Sequence, residues 1–137
     1  MSAAAPSPIA TAREQTVRIA RLNDLARSAM GVACTAVATV GFRSLPEADQ
    51  SCVRELIETF DVFDEDNDPH GERDFGTIYQ LGDGRWTTER PRMRDDEHER
   101  VFWKLDYYDR AMRFASEDAA DPAQTRRVLT IMLSDEY

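Results

Sequence analysis

An α+β protein, with helices packed on a small, mostly antiparallel sheet, is what three features of this 137-residue chain predict. Apolar residues recur at helical spacing in two segments of the first half, a strict two-residue alternation runs through 101–108, and turn-forming Asp, Asn, Pro and Gly cluster between them. Helices followed by strands, rather than a regular strand-helix alternation, favour helices gathered on one side of an antiparallel sheet. With 42% apolar residues the chain supplies one core of ordinary size without disulfide or metal staples.

Taken in order, residues 1–10 read as a loose tail of small residues and prolines, and residues 11–137 as a single domain. From 11 to about 29, Ile19, Leu22, Ala26 and Ala29 form an apolar stripe, with Arg13, Arg18, Arg21 and Arg27 on the wetter side, and Gly31 closes the helix. Residues 32–42 turn to β-branched and small side chains and predict a largely buried strand. Ser44 and Glu47 have capping-box spacing with Pro46 in the first turn, so a second helix starts there, its core stripe being Val53, Leu56, Ile57, Phe60 and Phe63. Residues 64–74 are a turn-rich loop, 75–81 a strand, and Gly82, Asp83 and Gly84 a turn that opens an Arg-rich insertion over 82–97. That insertion, carrying Arg85, Arg90, Arg92 and Arg94 around Trp86, suits either an anion or docking on the chain's own acidic surface.

Residues 98–108 are the clearest strand: Val101, Trp103, Leu105 and Tyr107 fall on one face, Phe102, Lys104, Asp106 and Tyr108 on the other. A turn near Asp109 and Arg110 would lead into a short antiparallel strand over 112–115. Asp121, Pro122 and Gln124 look like a helix start, which favours a final helix through Val128, Leu129, Met132 and Leu133, with a buried strand as the competing reading of 128–133. The expected order is therefore α-β-α-β-β-(β)-α.

The formal charge is -9, from 17 basic and 26 acidic side chains. Such a surface repels nucleic-acid backbones and anionic membranes, so no direct nucleic-acid or membrane partner is expected. The opening residues MSAAAPSPIA carry neither a basic n-region nor an apolar core, and no run reaches membrane-spanning length, which predicts a cytoplasmic chain. Cys34 and Cys52, 18 positions apart, match no redox or zinc spacing and read as two buried structural thiols. Lys104, the single lysine, beside Asp106 reads as a paired interior charge.

The charge is concentrated. Residues 1–57 hold 6 basic and 5 acidic side chains, residues 58–137 hold 11 and 21. Glu58, Asp61, Asp64, Glu65, Asp66, Asp68, Glu72 and Asp74 stand against the single cation Arg73. Three readings fit this run: a solvated loop whose Asx side chains cap their own backbone, a divalent-cation site, or an anionic surface that imitates phosphates for a basic groove on another protein. Asp64, Asp66 and Asp68 have the alternate spacing of an EF-hand loop, but Pro69 stands where its glycine belongs and Phe75 where its bidentate Glu belongs. No metal or cofactor is assigned on these residues. A metal-dependent phosphodiesterase using Asp74, Asp106 and His70 is the enzymatic alternative, although the Glu-x-Lys order of a nuclease core is absent because Phe102 precedes Lys104 by two. His70 and His98 accompany no hydrolase, zincin or nucleotide-binding motif.

Two strings, DNDPHGERDFG over 66–76 and VFWKLDYYD over 101–109, with RVLTIML over 127–133, resemble an uncharacterised bacterial domain family often found on plasmids and integrative elements near antirestriction genes. The resemblance runs from about residue 14 to the C-terminus, and 82–97 departs from it, relatives joining the two middle strands more tightly. It implies an acidic mobile-element protein that inhibits a host nucleic-acid defence system of the restriction or CRISPR type. The partner would be a host defence protein or complex with a basic nucleic-acid groove, met by Glu58, Asp61, Asp64, Glu65, Asp66, Asp68, Glu72, Asp74, Asp106 and Asp109. A small structural module that homodimerises through the Phe102 face of its strand is a further alternative.

Overall fold

The structure, a computed structural model, describes residues 8–93 and 97–137. Helices α1 (Pro8–Ser28), α2 (Val40–Arg43) and α3 (Glu47–Glu58) accompany strands β1 (Thr35–Ala38), β2 (Phe75–Leu81), β3 (Trp86–Thr87), β4 (Glu97–Tyr108) and β5 (Arg126–Leu133), and the chain ends in a 3₁₀ turn, Ser134–Glu136. The strands form one sheet in the order β1-β5-β4-β2-β3. Only β1 and β5 run parallel; the other pairs are antiparallel. This is the α+β fold expected.

Alternation along β4 sorts the sheet into two faces. Ile78, Val101, Trp103, Leu105, Leu129 and Ile131 share one face and pack with Ala26 of α1 and Val53 and Ile57 of α3 into the core. Phe75, Phe102, Lys104, Asp106 and Thr130 take the other, where the rings of Phe75, Phe102 and Tyr137 meet edge to face or tilted at 5.2–6.0 Å between centroids. No helix among the described residues is long and apolar enough to cross a membrane.

Several expected elements come out differently, each for a local reason. Helix α1 already begins at Pro8, within the expected tail, and residues 1–7 lie outside the described residues. The strand predicted over 32–42 shrinks to β1, three of whose four residues are exposed at the sheet edge. It stops because Thr39 caps α2, accepting from the Phe42 amide, while Glu136 accepts from the Thr39 hydroxyl at 2.6 Å and the Gly41 amide at 3.0 Å. This one turn of helix delivers Phe42, fully buried, to the core. Ser44 does not cap α3: its hydroxyl donates back to the Val40 carbonyl, and Pro46 precedes the helix instead.

The final helix is absent. Asp121 does form a cap-like turn, accepting from the Ala123 amide and the Gln124 side chain, but Thr125 is drawn into bonds with Ser116 and the Asp118 carbonyl and the turn ends. Residues 126–133 become β5, flanked on both sides by other strands. Val128, Leu129, Ile131 and Met132 are buried on both of its faces, which explains a nearly continuous apolar run where an edge strand would alternate. The strand expected over 112–115 reduces to a single bridge between Tyr108 and Ala115, the loop being closed by Asp109 accepting from the Arg113 amide.

Candidate functional site

The acidic segment leaves α3 and returns to β2, and its local hydrogen bonds decide what each carboxylate can do. Asp64 accepts from the amides of Asp66 and Asn67, and Asn67 accepts from the Asp64 amide at 2.8 Å while donating to the Val62 carbonyl at 2.7 Å. Asp68 accepts from the Arg73 amide at 3.0 Å, across a reversal in which Gly71 and Arg73 both take positive φ. These are Asx turns, short polar side chains replacing backbone partners where no ladder exists. Asp64 and Asp68 are thereby committed to shaping the loop. Glu58, Asp61, Glu65 and Asp66 stay exposed.

The far end of the segment is tied to the body. Arg73 pairs with Asp24 of α1 at 2.9 Å and lies over the Phe63 ring. Glu72 accepts from the Tyr107 hydroxyl at 2.9 Å, and its carbonyl accepts from the Asn23 side chain at 2.9 Å. Asn23 also donates to the Tyr107 oxygen at 2.7 Å and accepts from Arg127 Nε at 2.8 Å. Arg127 donates onward to the Ala119 carbonyl and stacks on the Tyr107 ring. Asn23 and Arg127 are buried, so this chain of bonds is internal structure. Burial pushes the Tyr107 hydroxyl far up, keeping it a donor at every physiological pH.

Of the remaining predicted carboxylates, Asp106 pairs with Lys104 at 3.0 Å on the open face, where both side chains are more than a third exposed; the pair is real but not interior, and such pairs contribute at most ~1 kcal/mol. The Asp106 bond holds the Lys104 ammonium above its ordinary pKa. Asp109 is the loop cap already described. Asp74 aligns with Leu105, whose amide donates to its carbonyl, whereas Asp106 points to the opposite face, so Asp74, Asp106 and the exposed His70 do not converge. Among the described residues no three His, Cys, Asp or Glu side chains are grouped to hold a metal ion.

Burial, then the neighbouring Glu72 carboxylate, raises the Asp74 pKa above its ordinary value. The folded chain keeps that proton to higher pH than the unfolded chain does. Stability from this group is thus complete below the unfolded pKa and is lost as pH climbs through the folded one. Asp74→Asn is expected to melt with the wild type in acid and above it at neutral pH. A variant less stable than wild type at neutral pH would count against the assignment.

Two further expectations change. Arg27, read as a wetter-side residue, is 2% exposed, sandwiched between the Phe63 and Trp103 rings at 5.1 Å from each centroid, bonded to the Phe60 carbonyl and paired with Asp24. Cys34 and Cys52 are free but only half-buried. In the insertion, Arg85 pairs with Asp83 at 2.6 Å, the Trp86 indole donates to Asp49 at 3.0 Å, and Arg90 lines a groove with Asp64 and Asp66; Arg94 lies outside the described residues.

A family model described as a protein of unknown function, DUF3768, matches residues 38–136, leaving α1 with Asn23 and Arg27 outside the match. No curated protein and no solved structure matches the chain.

Proposed function

We propose, for a chain that belongs to the DUF3768 family of proteins of unknown function, a non-enzymatic role in which its acidic loop occupies a basic, nucleic-acid-binding groove of a host defence protein. The observation that carries this reading is the division of labour in the loop: Asp64, Asn67 and Asp68 fix the backbone, and Glu58, Asp61, Glu65 and Asp66 are left exposed on that frame. An anionic decoy needs carboxylates whose positions are set before binding, since ordering a floppy tail would consume the gain from each charge pair. The net charge of -9 and the resemblance to mobile-element proteins support the same reading. The partner class is a restriction or CRISPR-type complex whose Arg and Lys side chains otherwise hold DNA or RNA.

The test is protection. Cells carrying an active restriction or RNA-guided nuclease should accept target plasmid more efficiently when they express this chain. The variant Glu58→Gln, Asp61→Asn, Glu65→Gln, Asp66→Asn should lose that protection while melting as the wild type does. At ~0.7 kcal/mol for each exposed charge pair, four losses weaken binding about 100-fold. Retained protection by the neutral variant overturns the decoy reading, as does its absence for the wild type against every such nuclease tried.

A further inference from the structure

At the opposite edge of the sheet from the acidic loop, where β1 and β5 begin, the chain forms a cleft of about 550 Å³ whose chemistry reverses the average of the molecule. Its wall is the segment 31–36 with Arg110, Thr125, Arg126 and Arg127, and it contains no carboxylate. Three arginines thus line one cleft in a protein of charge -9; Arg110 and Arg126 are exposed, whereas alternation along β5 turns Arg127 to the helix-covered face, where its guanidinium meets Asn23 and the Tyr107 ring.

The fold assembles the cleft from three places. Gly31, at φ +83, ends α1 and turns the chain into β1, which lies alongside the start of β5. The loop after β4, with Met112 at positive φ, brings Arg110 to the same end. Arg126 and Arg127 open β5 opposite Tyr108 and Tyr107. Arg127 is 7% exposed, and its contacts are the Asn23 side-chain oxygen, the Ala119 carbonyl and the Tyr107 ring, all neutral. A buried cation ordinarily contacts a carboxylate. Among the described residues none pairs with Arg127, Arg110 or Arg126.

Two exposed guanidiniums with no ion pair among the described residues leave a positive potential that an anion relieves. Guanidinium forks match an oxyanion with paired N–H donors, and the cleft volume falls within the range of small-ligand sites. No aromatic side chain lines it, so nothing there stacks a base.

We propose that this cleft binds a phosphate-class oxyanion, gripped by the exposed guanidiniums of Arg110 and Arg126. The phosphate group itself is the recognised element, whether free or esterified to a small molecule. This site shares no residue with the acidic loop, so either proposal stands or falls alone.

The experiment is isothermal titration calorimetry of the full chain in chloride buffer at constant ionic strength, with inorganic phosphate, adenosine monophosphate and adenosine as probes. Calorimetry is chosen over melting because phosphate salts stabilise folded chains without binding a site. Phosphate and the nucleotide should bind with similar affinity and compete, and adenosine should give no heat. Arg110→Gln and Arg126→Gln, both at exposed positions, should each weaken binding roughly tenfold, and the double variant should show none. Absence of heat with both anions, unchanged affinity in the double variant, or binding of adenosine alone overturns the proposal.

Discussion

Replacing Gly76 with alanine is expected to lower stability by about 3 kcal/mol, the upper part of the range for overfilling a packed core. A β-carbon there would stand 2.4 Å from Trp103 Nε1, 2.7 Å from Trp103 Cε2 and 2.6 Å from Phe60 Cζ, well inside contact distance. None of these atoms has room to withdraw. Trp103 is fully buried, with Phe60 edge-on at 5.3 Å, Phe63 at 6.1 Å and the Arg27 guanidinium over its face. Two of the three clashes are with the indole's nitrogen side, so they should disappear when that side does, leaving the one with Phe60. In a Trp103→Phe background the alanine has no Nε1 to meet, and its cost should drop by at least ~1 kcal/mol, a coupling of the size that touching residues show. Trp103→Phe also removes a buried N–H that finds no acceptor among the described residues, which offsets part of its own cavity cost. Urea denaturation of the four proteins in the cycle measures the coupling. Equal costs for Gly76→Ala in both backgrounds would show that the Phe60 ring, and not the indole, makes glycine necessary.

The central strand of this core was plain in the sequence, and the reason is geometric. β4 has one face in the core and one face open, so its composition alternates cleanly between Val101, Trp103, Leu105 and the more polar Lys104 and Asp106. β5 lies between two strands and is buried on both faces; its unbroken run of apolar residues carries no period to tell strand from helix. The Asp121 turn then tilted the choice toward helix, although such a cap closes a single turn equally well. The break at Thr39 was hidden for another reason. Its partner, Glu136, lies 97 residues away, and no local pattern announces a long-range clamp.

The acidic loop was legible as chemistry and only partly as geometry. Its Asx turns follow from local spacing, and Asp64 bonding to the amides two and three residues on is the behaviour that spacing predicts. What spacing could not separate was the fate of Glu72, which looks like its neighbours but meets Tyr107 of β4, 35 residues on. Charge type places Arg27 on the wetter side of α1 and draws no attention to Asn23. Yet they are four apart and flank Ala26, so helical periodicity alone places all three on one face. The available signal was position, and residue type overrode it.

That buried asparagine carries the other large effect. Asn23→Leu should cost roughly 3–5 kcal/mol, as expected when a buried charge loses a partner. One side chain meets four needs here: it donates to the Glu72 carbonyl and to the Tyr107 oxygen, accepts from Arg127 Nε, and fills a site with no solvent exposure. Leucine keeps the volume but leaves Arg127 with the Ala119 carbonyl as its only hydrogen-bond acceptor among the described residues. Such a loss is a large fraction of the ~5–15 kcal/mol that holds a domain folded. Removing less of the network should cost less: Tyr107→Phe takes one hydroxyl from Glu72 and Asn23 and should cost about 1–2 kcal/mol. The double variant Asn23→Leu, Arg127→Met should be more stable than Asn23→Leu alone, because it removes the cation that the leucine stranded. Denaturant unfolding of the wild type, Asn23→Leu, Arg127→Met and their double variant decides the matter. If the double variant is instead less stable by the sum of its parts, Arg127 is held by its ring stacking on Tyr107 rather than by Asn23, and the network is two independent contacts.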